Sequence, residues 1–276
     1  MGKGLPLFIV DAFTSQPFRG NPAAVCLLER TLPDADLKLI AREMNLSETA
    51  FLLPRSDPAE YSLRWFTPKT EVPLCGHATL ASAKVIFDEI GISSDVIRFQ
   101  TMTGELLARK GQHGIALDFP KEDPSPSSAS APLLKTLGDP SVEEAVTGPR
   151  STNLLLRLHG SRDVEQLAPD FRALERSTIA EKIHGVIVTA AGESPYDFVS
   201  RYFAPKLGVD EDPVTGSSHT LLAPYWGNRL GRSELFAFQA SKRGGELHLR
   251  LDPPGRVTIE GKAQLISRGS LVAPVG

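Results

Sequence analysis

Carboxylate and imidazole side chains that could move protons lie beside apolar segments of this sequence. Glu48 follows an amphipathic stretch and precedes an apolar one. Partial desolvation there would favour its protonated form, which suits a general acid or base. His77 follows Gly76 at a predicted helix start, where the local field favours a neutral imidazole. The two residues predict acid/base chemistry; the alternatives are a solvated loop glutamate and a packed structural histidine.

A second polar group precedes another predicted helix. Asp212 is the acid nearest to Gly216, and Ser217 follows that glycine. Acids and hydroxyls are common caps at helix N-termini, which is the alternative interpretation of both side chains. We assign Asp212 to the site and Ser217 to substrate binding.

The two cysteines exclude, by their number, a disulfide framework and a four-cysteine zinc site. Cys75 precedes a glycine at a helix start, where cofactor-independent racemases place a catalytic thiol. Those enzymes use two opposed thiols, and the internal repeat described below places Thr215 where the second would lie. Cys26 lies in an apolar strand and is expected to be buried. A two-thiol racemase is therefore disfavoured, and no metal site is predicted.

Apolar patterns predict the elements that position these residues. Leu37, Ile40, Ala41 and Met44 form one apolar stripe of a helix that begins near Asp34 or Asp36. Two longer helices are predicted over residues 76–89 and 216–230, ended by Gly91 and Gly231. A short helix is predicted near 132–138, and residues 120–132 are predicted to be a linker. Strands are predicted near residues 7–10, 23–28, 49–53, 63–67, 96–101, 105–109, 115–119, 152–158, 185–190 and 197–203.

The two longer helices are preceded by similar sequence motifs, which indicates an internal repeat. Residues 66–72 match residues 203–209, and residues 73–77 match residues 213–217 after an insertion of three residues. This predicts two similar halves, 1–120 and 121–276, related by a pseudo-twofold axis, with the last strand returning to the first half. Helix N-termini on both sides of one site would bind a carboxylate or oxyanion. Gly76 and Gly216 would let backbone approach the ligand, or would merely serve tight turns.

Composition places the chain among globular proteins. It has 276 residues, 41% hydrophobic, with a formal net charge of −3. No basic excess favours nucleic-acid binding, and no apolar run reaches the ~20 residues that span a bilayer. Residues 1–6 do not predict a secretory leader. They do not predict myristoylation either, because Pro6 stands where that motif has Ser or Thr. We expect a cytoplasmic protein with no cofactor, since no phosphate-binding glycine loop or dinucleotide fingerprint occurs.

The motifs together resemble the phenazine-biosynthesis-type isomerase family. The matching segments are residues 11–13, 20–25, 45–51, 66–68, 71–79 and 212–219. The resemblance implies an α+β, diaminopimelate-epimerase-like fold of two similar domains, each a curled, mostly antiparallel sheet around a central helix, and it implies a homodimer. It also implies that Glu48 is the catalytic glutamate, assisted by His77 and Asp212. The best-understood members isomerise a dihydro-hydroxyanthranilate by moving a proton along its ring.

These observations predict a cofactor-independent isomerase that moves a proton in a small carboxylate-bearing substrate. The residues expected to bind the substrate are Asn21, Ser47, Gly76, Gly216 and Ser217. One alternative is a racemase or epimerase that uses Cys75 as one base. The other is a protein that retains the cleft but binds another protein.

Overall fold

The computed structural model describes residues 4–150 and 152–272, which fall into two compact units. Unit 1 consists of residues 4–118 and 260–272, and unit 2 of residues 119–259. Part of the segment for which a leader and myristoylation were considered, Met1 to Lys3, lies outside the described residues.

Unit 1 is built on a mixed, mostly antiparallel sheet. Antiparallel pairs join its first strand to the second and to the last strand of the chain, and then join the third to the fourth, the fourth to the fifth, the sixth to the seventh and the seventh to the eighth. The second and third strands pair in parallel, as do the fourth and sixth. The strands are β1 (Leu5–Ala12), β2 (Asn21–Leu27), β3 (Glu48–Pro54), β4 (Glu60–Phe66), β5 (Glu71–Val72), β6 (Val96–Thr101), β7 (Gly104–Lys110), β8 (Ile115–Pro120, which crosses the unit boundary) and β18 (Ala263–Leu271).

Each parallel pair of unit 1 is connected through a helix, because parallel neighbours need a crossover. Helix α1 (Asp34–Met44) joins β2 to β3 and buries most of its predicted apolar stripe. Helix α2 (Gly76–Lys84) lies between β4 and β6 in sequence and is buried along its whole length up to its last residue. A π-helical turn, Val85–Ile90, continues it to Gly91, whose φ of 77° ends the helix as predicted. Small side chains make this all-round burial possible, so α2 is the central helix of unit 1.

Unit 2 contains a second mixed sheet. The sheet begins with a short strand paired antiparallel with the next one, and further antiparallel pairs include β10–β11, β12–β13, β13–β14 and β15–β16. Parallel pairs join β11 to β12 and β13 to β15. The strands are β9 (Ser125–Pro126), β10 (Val142–Thr147), β11 (Leu154–Leu158), β12 (Val186–Ala191), β13 (Phe198–Ala204), β14 (Val209–Asp212), β15 (Glu234–Gln239), β16 (Gly245–Asp252) and β17 (Arg256–Gly261, which crosses the unit boundary).

The helices of unit 2 only partly follow the sequence patterns. Helix α6 (His219–Leu230) is buried from its start to Gly227 and ends at Gly231 as predicted. The predicted start at residue 216 is wrong: residues 216–218 form tight turns whose carbonyls accept from N–H groups three residues later. The other helices are α3 (Ala131–Thr136), α4 (Ser161–Glu165) and α5 (Phe171–Ala180). The sequence patterns did not predict α4 or α5, of which α5 buries Leu174 and Thr178 and packs Phe171 against the core of unit 2.

The order of pairings is the same in both units. Antiparallel, parallel and antiparallel pairs join β1, β2, β3 and β4 in succession, and the same succession joins β10, β11, β12 and β13. In each unit the last of these strands then pairs antiparallel with a short strand and parallel with the next long one. This confirms the internal repeat and the α+β class with two similar, mostly antiparallel halves.

An arginine–glutamate pair repeats with the strands. Arg64 in β4 binds Glu71 in β5 through two nitrogens at 2.7 Å each, and Arg201 in β13 binds Glu211 in β14 at 2.7 and 2.9 Å. Each guanidinium also lies about 5 Å above the ring of the phenylalanine two residues further along its strand. The pair ties the short strand that precedes each longer helix to its sheet.

The segment predicted as a linker is fixed in unit 2. Glu122 is 7% exposed, and its carboxylate accepts hydrogen bonds from the backbone N–H of Arg150 and from Oγ1 of Thr220, both at 3.1 Å. Ser125 and Pro126 pair with β10. Composition could not reveal this, because the partners of the carboxylate lie far along the chain.

None of the helices in the described residues is long and apolar enough to cross a membrane.

The repeated ion pairs are expected to differ in their contribution to stability. Arg201 also donates through Nη1 to the carbonyls of Val164, Glu165 and Leu167, whereas Arg64 is about a third exposed. We expect Arg201→Lys to lower the free energy of unfolding by about 2–3 kcal/mol, because a lysine cannot replace the guanidinium fork. Arg64→Lys should cost less than about 1 kcal/mol. Urea denaturation of both variants checks this, and a larger loss from Arg64→Lys would contradict it.

Candidate active site

Glu48 owes its position to the end of helix α1 and to the register of β3. Asn45 caps the helix in the left-handed conformation, with φ of 51°, a geometry that asparagine tolerates. Three residues later Glu48 begins β3, opposite Ala23 of the parallel strand β2. Its side chain is 17% exposed. The carboxylate is thus partly desolvated but still reachable by a small molecule.

Cys75 and His77 lie at the start of helix α2. Cys75 is the N-cap residue in extended conformation, and its carbonyl accepts from both the N–H and the hydroxyl of Thr79. Among the described residues α2 has no side-chain cap. The first backbone N–H groups of a helix lack intrahelical partners, so this turn can donate to an anionic group.

Burial keeps the imidazole of His77 neutral. The residue is 4% exposed, and desolvation lowers its pKa from 6.5 to about 3. Its contact with Glu48 is therefore one between a carboxylate and a neutral ring at neutral pH. The imidazole therefore brings no positive charge to this contact at neutral pH.

Glu48, His77 and Cys75 form one cluster in unit 1. Nε2 of His77 lies 3.3 Å from Oε2 of Glu48, and Nδ1 lies 3.5 Å from Sγ of Cys75. The atoms of the Glu48 contact are misaligned for a hydrogen bond, so Nε2 is buried without one in the part of the chain that the structure describes. The cluster contains one carboxylate, one imidazole and one thiol, and their donor atoms lie within 4.8 Å of one another. Such a set of groups can transfer protons or bind a metal ion.

The other site residues predicted in unit 1 lie at or next to the starts of α2, β3 and β2. Gly76 is the buried first residue of α2, between Cys75 and His77. Ser47 directly precedes β3 and is half-buried, and Asn21 is the fully buried first residue of β2. The structure thus brings Glu48 and His77 together, while roles in substrate binding for Asn21, Ser47 and Gly76 stay predictions.

Asp212 belongs to a hydrogen-bonded turn of unit 2. Its carboxylate accepts from the hydroxyl of Thr215. Gln239, fully buried at the end of β15, accepts from the N–H of Thr215 at 2.8 Å and donates to the carbonyl of Asp212 at 2.8 Å. Gln239 is not among the residues predicted from the sequence, because a single glutamine at the end of a strand carries no local signal. The amide fixes the turn, since it offers a donor and an acceptor at once.

The two predicted substrate-binding residues of unit 2 lie just before helix α6 and differ in their exposure to solvent. The side chain of Ser217 is exposed, whereas Gly216 is buried. Ser218 and His219 are buried, and both contact the carbonyl of Thr215, at 2.8 Å each. Burial lowers the pKa of His219 to about 4. His219 therefore serves the helix start, in the position that Thr79 has in unit 1.

The repeat does not extend to the reactive side chains. The strand register of β12 and β13 places Gly185 where unit 1 has Glu48, and the matched helix starts place Thr215 at the position of Cys75 and Ser217 at that of His77. The cluster of carboxylate, imidazole and thiol therefore belongs to unit 1.

Comparison with known proteins gives matches along nearly the whole chain. A family model described as Phenazine biosynthesis-like protein matches residues 10–269. Phenazine biosynthesis-like domain-containing protein 2 of Mus musculus is 50% identical over 98% of this chain and 99% of its own. An uncharacterized isomerase of Pseudomonas aeruginosa is 47% identical over 97% of this chain and 98% of its own. The crystal structure of a phenazine biosynthesis protein of the PhzF family from Enterococcus faecalis is similar with a TM-score of 0.91 and 42% identity, covering 98% of this chain and all of that one.

The pKa of His77 can be measured directly. Because burial opposes the charged ring, we expect its nitrogens to keep the ¹⁵N shifts of neutral imidazole down to about pH 5. The folded pKa is below the unfolded one, so the stability contributed by the neutral ring is complete above pH 6.5 and is lost as the pH falls towards 3. NMR of ¹⁵N-histidine-labelled protein, with His77→Gln for assignment, checks this. Protonation of His77 near pH 6.5 would contradict it.

Proposed function

This chain belongs to the family of phenazine biosynthesis-like proteins, and on that premise we propose that it is a cofactor-independent isomerase that moves a proton in a small carboxylate-bearing substrate. Relatives named as isomerases support an isomerase-type enzyme. The observation that carries the finer proposal is the partly exposed carboxylate of Glu48 beside a buried, neutral imidazole.

The geometry of unit 1 supports the following proposed roles. Glu48 removes a proton from the carbon next to an electron-withdrawing group and returns it at a second carbon. The neutral ring of His77 holds the carboxylate in place or passes the proton on. The uncapped N–H groups at the start of α2 stabilise the negative charge that develops on the substrate. The first substrate to test is dihydro-hydroxyanthranilate.

We extend the proposal to the helix start of unit 2. Asp212, which the amide of Gln239 holds in place, orients the substrate or relays a proton. In unit 2, Gly216 and the exposed hydroxyl of Ser217 bind a substrate carboxylate. In unit 1, Asn21 and Ser47 contribute to substrate binding. Asp212→Asn preserves the shape but cannot accept a proton, so it separates orientation from relay.

The second candidate function is a racemase or epimerase with Cys75 as one base. The contact of Sγ with Nδ1 of His77 at 3.5 Å favours it, since an imidazole can activate a thiol. Thr215 at the equivalent position of unit 2 argues against it, because a hydroxyl hydrogen-bonded to Asp212 is a poor replacement for an opposed thiol.

The two candidates are separated by substituting each base in turn. General acid–base groups contribute about 10²–10⁴-fold in rate, so we expect Glu48→Gln to lose at least ~100-fold in the exchange of substrate protons with solvent deuterium. Cys75→Ser should lose far less. The measurement is deuterium incorporation into dihydro-hydroxyanthranilate, or into an analogue with a carboxylate beside an acidic C–H.

Circular dichroism shows whether both variants are folded, and Cys26→Ser is the matched control for removing a thiol. Cys26 is fully buried in β2, which raises the pKa of its thiol to about 12. If Cys75→Ser abolishes exchange while Glu48→Gln retains it, the isomerase mechanism is wrong and the racemase candidate replaces it.

We also propose a homodimer located in the cytoplasm, with no nucleic-acid or membrane partner. Cys26 and Cys75 are buried and form no disulfide in the described residues, which fits a reducing compartment. Curled sheets offer strand edges that can pair between chains. Light scattering at micromolar concentration should give about twice the chain mass of 29.9 kDa. A monomer at high concentration would contradict the dimer.

A further inference from the structure

We propose that Glu48, Cys75 and His77 also form a three-ligand site for a thiophilic divalent cation, of which Zn²⁺ is the representative, and that the bound cation inhibits the enzyme. The inhibition rests on the proposed function, whereas the cation site itself rests on the geometry of the cluster.

The donor atoms suit such a cation in type and separation. Thiolate sulfur, imidazole nitrogen and carboxylate oxygen are the three ligand types that zinc takes from proteins. Metal–ligand bonds of about 2.0–2.3 Å in tetrahedral arrangement place neighbouring ligand atoms roughly 3.3–3.7 Å apart. Nε2 of His77 lies 3.3 Å from Oε2 of Glu48, whereas the 3.5 Å contact of Sγ of Cys75 is with the other ring nitrogen, Nδ1. With one nitrogen taken as the ligand, the three donor atoms lie within 4.8 Å of one another. Coordination of one ion therefore requires the widest of these separations to close by at most about 1 Å.

The surroundings of the cluster also favour a cation. Cys75 and His77 are 6% and 4% exposed, and both are fixed by the first turn of α2, so little order has to be gained on binding. Nε2 of His77 is buried and makes no hydrogen bond with any residue that the structure describes. A buried ring nitrogen that makes no hydrogen bond and lies 3.3 Å from a carboxylate, with a thiol beside the same ring, is suited to coordination.

The composition of the cluster selects the kind of cation. One sulfur and one nitrogen favour zinc and similar borderline or soft ions over Mg²⁺ and Ca²⁺, which prefer oxygen ligands. Three protein ligands leave the fourth position of a tetrahedron to water. Coordination occupies the carboxylate of Glu48, so the cation and proton transfer exclude each other.

The site is expected once per chain. At the equivalent positions unit 2 has Gly185, Thr215 and Ser217, none of which brings a thiolate, imidazole or carboxylate. The stoichiometry therefore distinguishes this cluster from general binding to surface acids.

The cation site is tested by titrating chelator-treated protein with Zn²⁺ against a chromogenic chelator. We expect one ion per chain, unaffected by excess Mg²⁺. Substitution of residues around metal sites costs about 10–100-fold in affinity, so losing a direct ligand in Cys75→Ser or His77→Gln should cost at least that much. Cys26→Ser is the matched control and should bind like the unaltered protein. Co²⁺ should give a sulfur-to-metal charge-transfer band that Cys75→Ser lacks.

Stoichiometric binding that Cys75→Ser leaves unchanged would overturn the site, as would no binding at about 100 μM Zn²⁺, a concentration far above the range of structural and catalytic zinc sites. Inhibition is then read from deuterium exchange, which Zn²⁺ should stop and a chelator restore in Cys26→Ser and the unaltered protein alike. If neither exchanges deuterium, the proposed function fails while the titration still decides the site. Exchange that persists with one Zn²⁺ bound would overturn the inhibition.

Discussion

The first turn of helix α2 is buried, and the site of unit 1 follows from that constraint. A helix start carries N–H groups without intrahelical partners, and burying them away from water is costly unless a polar group comes to meet them. Here the turn carries Cys75 and His77 and lies close to the carboxylate at the start of β3. The same burial removes water from His77 and keeps its ring neutral. The fold thus produces a polar, partly desolvated cluster at the N-terminus of its central helix, where the first backbone N–H groups have no intrahelical partner.

The internal repeat separates scaffold from chemistry. The two units share their order of strand pairings, their arginine–glutamate bridge between a long and a short strand, and a side chain that contacts the carbonyl at the helix start, Thr79 in one and His219 in the other. These features hold sheet and helix together and are therefore retained in both halves. The reactive positions differ, because Gly185 is the residue of unit 2 that is equivalent to Glu48, and Thr215 is the one that is equivalent to Cys75.

A cluster suited to proton transfer has properties that also suit a metal ion. Both need a carboxylate, a neutral imidazole and a position shielded from bulk water. What separates the two uses is the thiol of Cys75, which proton transfer by Glu48 does not require and which a thiophilic cation would bind. The 3.5 Å contact of this thiol with His77 connects the two proposals within a single cluster.

The sequence by itself determined the repeat and the class of fold, and it predicted the residues that are proposed to be reactive. Matched sequence motifs before two helices revealed the duplication, and periodic apolar residues revealed α1. Gly91 and Gly231 marked two helix ends. All of these are local patterns in the sequence. The tertiary structure decided what depends on distant partners: Gln239 holding the turn of Asp212, Glu122 buried in a segment that reads as a linker, and the true start of α6 at His219. It also decided that Cys75, His77 and Glu48 meet, since 27 residues separate Glu48 from Cys75 and only the packing of α2 beside β3 closes that gap. Burial and contact are properties of the folded chain, so spacing along the sequence cannot supply them.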